Sequence, residues 1–168
     1  MTSSGSRQPI AIRALRTDDI PTVARWVADM PLWQRYGLTA ARARRLLGGG
    51  LAADDVLLVA DVPAPEGTAC GLAWCLPRGA FGRSPYLRLL GVRADFSGRG
   101  IGGALLEALE HRLAGAAGEL FLLVSDFNIA AQAFYRRHGY TQIGAIADYV
   151  LPQVAELIFW KRLSPAPR

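Results

Sequence analysis

The stretch from Asp95 to Glu110 reads DFSGRGIGGALLEALE and puts Gly98, Gly100 and Gly103 in a G-x-G-x-x-G spacing. Glycine tolerates left-handed backbone and carries no side chain, so a chain built this way can approach a phosphate closely. Amides ahead of a helix form an anion nest, and the helix dipole adds positive potential. Arg99 either adds a charge or points to solvent. The run that follows is amphipathic, with Ile101, Leu105, Leu109 and Leu113 recurring every four residues and Leu106 widening the stripe. Glu107, Glu110 and Arg112 face outward. The plain alternative is a ligand-free turn, in which each glycine weakens the helix start by about 1 kcal/mol to no purpose.

Two kinds of phosphate fit these letters. A dinucleotide-binding fold would use Asp126, just after the next strand, to meet a ribose. Three features argue against it. The residues Arg93 to Ser97 separate the strand from the glycines, whereas that fold places them close together. Hairpin strands precede the loop in place of repeated βαβ units. The chain also lacks room for a second half and a substrate domain.

The surrounding elements define where this loop must sit. Ile10 to Leu15 alternates as a strand, and Thr17 to Asp19 cap a helix that has Pro21 in its first turn and ends near Ala28. Asp29 to Gly37 reads as a loop or broken helix that exposes Trp33 and Tyr36. A second helix runs from Thr39 to Leu47, with Gly48 to Gly50 as its stop. Asp55 to Val62 and Ala69 to Pro77 form a hairpin around Pro63 to Gly67. A loop from Arg78 to Pro85 leads to the strand Tyr86 to Val92. The helix from Ile101 to about Ala114 follows the glycines, and then comes the nearly continuous apolar strand Glu119 to Ser125, as expected where both faces are covered. Asp126 to Asn128 open a helix that stops at Gly139, with basic residues in its last turn. Two last strands flank a loop holding Asp148, Tyr149 and Pro152. The crossover from Tyr86 to Ser125 requires a parallel pair, so the expectation is an α/β (α+β) fold with a mixed sheet and helices on both faces.

The chain has 168 residues, 51% of them hydrophobic and 20% charged, which suits a single folded domain over residues 9–163 between tails at 1–8 and 164–168. No apolar run approaches the roughly 18 residues of a membrane helix. Met1 to Pro9 has no apolar segment of a secretory signal, so a cytoplasmic protein is expected. Cys70 and Cys75 lie on opposite faces of one expected strand, which disfavours a disulfide. With only two histidines they make no metal site, and they read as buried small hydrophobes. The net charge of +5 suits an anionic partner. Its arginines are scattered and lack a basic stripe with interleaved aromatics, which argues against nucleic acid.

Two segments carry a resemblance. LLGVRADFSGRGIGGALLEALE resembles the acetyl-CoA-binding motif of the GCN5-related N-acetyltransferases, the GNAT superfamily, whose pattern is Gln/Arg-x-x-Gly-x-Gly/Ala after a strand ending in Val. Ser97 stands where Gln or Arg is usual. NIAAQAFYRRHGY is similar to the later family segment N-x-x-A-x-x-F-Y-x-x-x-G-F/Y, with Asn128, Ala131, Phe134, Tyr135, Gly139 and Tyr140 in place. The resemblance extends over about Ile10 to Leu163. It implies a mostly antiparallel sheet of about seven strands with a splayed central parallel pair.

The resemblance also implies acetyl transfer from acetyl-CoA (coenzyme A) to an amine. The cofactor would be held by Ser97, Gly98, Arg99, Gly100, Ile101, Gly102 and Gly103 at the pyrophosphate, and by Leu90, Gly91 and Val92 along the pantetheine arm. A backbone N–H of that strand can serve as oxyanion donor. Asn128 is read as a helix N-cap that also contacts the pantetheine or positions a water. Tyr135 is the implied acid for the thiolate; its alternative is a core aromatic with a hydrogen-bonded hydroxyl. Family members often carry a Glu on the strand before the loop, and this strand has none. Asp126, Asp148, Glu156 and His111 are the candidates for receiving the amine's proton. Trp33, Tyr36 and Tyr149 are expected to line the acceptor side, for a small-molecule or peptide amine. A homodimer is compatible with the resemblance. A non-catalytic acyl-CoA-binding module, and an acetyltransferase acting on aminoacyl-tRNA or a protein, are the alternatives.

Overall fold

The computed structural model describes residues 9–163, and both expected tails lie outside the described residues. The sheet has seven strands in the order β1-β2-β3-β4-β5-β7-β6. These are β1 (Ala11–Ala14), β2 (Val56–Asp61), β3 (Gly71–Ala80), β4 (Ser84–Val92), β5 (Glu119–Ser125), β6 (Thr141–Ala147) and β7 (Ala155–Arg162). The helices are α1 (Ile20–Asp29), α2 (Pro31–Arg35), α3 (Ala40–Ala52), α4 (Ile101–Leu113) and α5 (Ile129–Arg137). The β4–β5 pair is parallel, while β1–β2, β5–β7 and β6–β7 are antiparallel. The mixed sheet with helices that the glycine loop demanded is therefore present. The described residues divide into two compact units: 9–73 with 90–106, and 74–89 with 107–163.

In the first unit, Asp19 organises the entry to α1. Its carboxylate accepts from the Arg16 amide at 2.8 Å and from Arg13 Nη1 at 2.6 Å. Arg13 also reaches Asp61 at 2.6 Å, and Asp61 accepts the Ala69 amide at 2.7 Å. The Arg13 hydrogen bond holds the Asp19 carboxyl below the usual carboxylate range, against a smaller opposing effect of burial.

Three sequence expectations need correction. The glycines Gly48 to Gly50 do not stop α3, which continues to Ala52. Glycine costs about 1 kcal/mol each in a helix, but burial of Leu47 and Gly50 holds the end down. The loop expected from Arg78 to Pro85 is mostly strand. Here β3 runs through Pro77 to Ala80, β4 begins at Ser84, and the turn is made by Phe81 and Gly82 in left-handed backbone. Trp33 and Tyr36 are half-buried rather than exposed, because Pro31 starts the short helix α2.

In the second unit the two faces of β5 and β7 differ. Leu120, Leu122, Val124 and Phe159 are buried, with Phe159 touching Tyr135 of α5 at 6.4 Å between ring centroids. On the other face Phe121, Leu123, Ile158 and Trp160 are only half-buried. Below the core, Lys161 Nζ contacts Glu110 Oε2 at 2.6 Å, and the Tyr140 hydroxyl donates to Glu110 Oε1 at 2.8 Å. Edge strand β6 is exposed along most of its length and is broken by a bulge between Gln142 and Gly144, a common guard against edge pairing.

Candidate active site

The first unit holds the glycine loop. After β4 a 3-10 turn, Ala94–Phe96, buries Phe96, and the Arg93 and Arg99 guanidinium carbons lie 4.6 and 4.8 Å from its ring centroid. Arg93 Nε donates to Asp95 at 2.7 Å, which keeps the Asp95 carboxyl below its ordinary range. Arg99 donates to the Asp95 carbonyl at 3.1 Å, so it folds back over the turn and is not simply aimed at solvent. Ser97 is extended and exposed. Gly98 and Gly100 take φ of +75° and +82°, and a Cβ on either would meet nothing within 4 Å. Backbone conformation, not space, selects glycine there. The first α4 amides have no partners within the helix and open onto this exposed loop. That is the donor set an anionic pyrophosphate needs.

In the same unit α1 packs on the end of β4 and α4 packs on the start of β3. A Cβ on Gly91 would lie 3.3 Å from the Met30 sulfur and 3.4 Å from Trp26 of α1. A Cβ on Gly71 would lie 2.8 Å from Leu105 and 2.9 Å from Ile101 of α4. Ile101 is 1% exposed, so its side chain is core and only its backbone faces the loop. Arg93 N donates to Cys70 O at 2.8 Å, which ties the end of β4 to the start of β3. Among the described residues the β4–β5 ladder pairs Tyr86↔Phe121 and Leu87↔Leu122. Leu90, Gly91 and Val92 lie beyond it. Trp33 and Tyr36 pair at 6.2 Å between centroids, and the buried Trp33 Nε1 has no hydrogen-bond partner among the described residues.

Asn128 and Tyr135 belong to the second unit. The Asn128 side chain accepts from the Ala131 amide at 3.2 Å, as an N-cap should. Gln132 Nε2 donates to the Asp126 carbonyl at 2.8 Å and so fastens α5 to the end of β5. Tyr135 is 8% exposed, packed edge-on to Phe134 and Tyr140 at 5.2 and 5.6 Å. Burial, with a smaller contribution from Tyr86, pushes its phenol well above the ordinary tyrosine value. It is therefore protonated across the physiological range.

The proton-acceptor candidates separate clearly. Asp126 Oδ2 accepts the Ala155 amide at 3.1 Å, and Asp148 Oδ1 accepts the Gln153 amide at 2.6 Å in the β6–β7 turn. His111 is exposed on α4. Glu156 is the buried one, at 5% exposure, opposite Ser125 in the β5–β7 ladder. Its place on the half-open face follows from register, which the sequence does not contain. Tyr149 sits in the β6–β7 turn, 60% exposed. Arg88 lies on the same sheet face as Tyr86, and nothing in the sequence singles it out.

The described chain thus has a seven-stranded mixed sheet in which a left-handed glycine loop follows β4 and opens α4. Residues 53–142, just over half of the chain, match the acetyltransferase (GNAT) domain family. The chain belongs to that family. Solved structures agree on the fold. A GNAT-family protein of Desulfovibrio desulfuricans superposes with a TM-score of 0.74 at 21% identity, covering 93% of this chain and 100% of that one. The ribosomal-protein-alanine N-acetyltransferase of Brucella melitensis gives 0.71 at 21% identity, over 91% and 99%. An aminoglycoside 6'-N-acetyltransferase complexed with coenzyme A gives 0.72 at 13% identity, over 94% and 99%. No curated protein matches the sequence. Among the described residues no helix is long and apolar enough to cross a membrane.

Proposed function

We propose that this chain is an acetyl-CoA-dependent N-acetyltransferase that moves the acetyl group directly to an amine. The observation that carries the reading is the loop with left-handed Gly98 and Gly100 that opens α4. Membership of the GNAT family and the likeness to a coenzyme A complex support it. Acetyl-CoA would supply an activated thioester: the amine nitrogen takes the acetyl carbon, the C–S bond breaks, and coenzyme A leaves as its thiolate.

The chain's own residues divide the work. Amides of Gly98 to Gly103 hold the pyrophosphate, with the Ser97 hydroxyl as an uncharged partner. Backbone groups of Leu90, Gly91 and Val92, which lie beyond the short β4–β5 ladder, pair with the pantetheine. A backbone N–H of that strand polarises the thioester carbonyl. The Tyr135 hydroxyl holds the proton that the leaving group takes up. Glu156 receives the proton that the amine must lose, directly or through water.

Thiol release from acetyl-CoA in the presence of an amine panel tests the activity. Tyr135→Phe is expected to lower kcat by about a hundredfold, the usual scale for a lost acid. It should leave coenzyme A affinity unchanged by calorimetry. The raised phenol adds no alkaline limb to the kcat profile of the native chain below about pH 10. Full turnover by Tyr135→Phe would remove the acid assignment.

A further inference from the structure

The helix that carries Tyr135 has few anchors. At nine residues, Ile129–Arg137, α5 is shorter than the roughly 12–15 residues at which an isolated helix becomes even marginal in water, so packing must hold it. Only Gln132 and Tyr135 of this helix are buried. Three residues apart, they share one face, with Tyr135 about 4.5 Å further along the axis. The contacts described for Tyr135 are aromatic: Phe134 and Tyr140 edge-on, and Phe159 at 6.4 Å. Packing of this kind sets orientation less sharply than a hydrogen bond does. The second buried side chain is an amide, at 6% exposure. Burying an amide is less favourable than burying a leucine, unless its hydrogen bonds are met.

Here the amide is met by backbone that is itself fixed. Gln132 Nε2 donates to the Asp126 carbonyl at 2.8 Å, with the Ser125 carbonyl at 3.4 Å. Asp126 is clamped to β7 on two sides. Its amide donates to the Ala155 carbonyl at 2.8 Å, and its Oδ2 accepts the Ala155 amide at 3.1 Å. Gln132 thus ties the Tyr135 face of α5 to the β5–β7 pair. The Asn128 cap makes no such tie. Its amide donates to the Ser125 carbonyl at 2.9 Å and its side chain accepts from Ala131, which closes the first turn locally. The family segment N-x-x-A-x-x-F-Y leaves position 132 open, so this amide belongs to the present chain and not to the pattern.

We propose that Gln132 is a positioning residue for Tyr135: its bond to the Asp126 carbonyl sets the roll of α5 and with it the place of the phenol hydroxyl. The inference rests on the acetyltransferase reading, in which Tyr135 holds the proton for the leaving thiolate. The test uses Gln132→Met, which keeps the length and volume of the side chain and removes its N–H. Gln132→Leu, a strong helix former that also lacks the amide, is the companion variant. Melting temperatures check that both fold.

In thiol release, kcat should fall by about tenfold or more, the scale of a slightly misplaced catalytic group, and by no more than in Tyr135→Phe. The KM for acetyl-CoA should not change. In a Tyr135→Phe background, Gln132→Met should lower kcat no further. A native kcat in both variants, or the same loss in both backgrounds, would overturn the proposal. The second readout needs no turnover. In an alkaline NMR titration with ring-labelled tyrosine, the native Tyr135 signal should stay that of a protonated phenol to high pH. In folded Gln132→Met the signal should move and begin to ionise at lower pH, and an unmoved signal would overturn the proposal. Absence of thiol release from the native chain with every amine would defeat the acetyltransferase reading. In that event a moved Tyr135 signal would still support the hold of Gln132 on Tyr135, and an unmoved one would overturn it.

Discussion

The glycine loop of the first unit and the open sheet face of the second are built from different parts of the chain. The loop is made by backbone: Gly98 and Gly100 supply left-handed turns ahead of α4. The sheet face works through side chains that strand register sets side by side. A backbone site tolerates changes in neighbouring side chains but not in its dihedral angles. A side-chain site has the reverse sensitivity, provided the strands beneath keep their register. On the proposed function, cofactor recognition would reside in the more constrained region, and the proton-accepting Glu156 in the more adaptable one.

The comparison can be broken hardest from below. Phe159 is fully buried under the half-open face, so Phe159→Ala should cost about 3–5 kcal/mol in urea unfolding. A much smaller cost would mean that register does not depend on that packing. Next in size is Gly100→Ala. An alanine held in left-handed backbone loses about 1–2 kcal/mol, so coenzyme A should bind roughly tenfold more weakly. Acceptor preference should not change, and a change there would undo the division of labour. Ser97→Arg restores the family's cation beside the loop. Coenzyme A affinity should rise a few-fold at low salt and return towards the native value as salt is added, read by calorimetry. The smallest effect belongs to Lys161→Met. The Lys161–Glu110 pair is partly exposed, at 26% and 18%, so its loss should cost about 0.2–1 kcal/mol in the same urea series.

The same division explains what could be read from residues alone. Backbone-made function leaves letters behind, because left-handed turns demand glycine and caps demand Asn or Asp. Gly98, Gly100 and the Asn128 cap were legible for that reason, as were the boundaries of α4 and β5. Where tertiary packing overrode local preference, the sequence misled. Leu47 and Gly50 carried α3 through three glycines, and the β3–β4 pairing drew Pro77 and Pro85 into strands. The stacking of Arg88 on Trp74, and the pairing of Glu156 with Ser125, depend on which strands lie side by side. No spacing within one strand encodes it.

The bond between Lys161 and Glu110 has a meaning for a protein that handles acyl donors. Lys161 is the only lysine of the chain, and every other cationic side chain of its Lys+Arg set is arginine. Attack on a thioester needs an amine nitrogen that can approach the carbonyl, and Lys161 Nζ is held against Glu110 Oε2 at 2.6 Å. The chain thus presents almost no side-chain amine to the reagent it would carry. In a mass spectrum taken after long incubation with acetyl-CoA, a shift at Lys161 should arise in Glu110→Gln before it arises in the native chain.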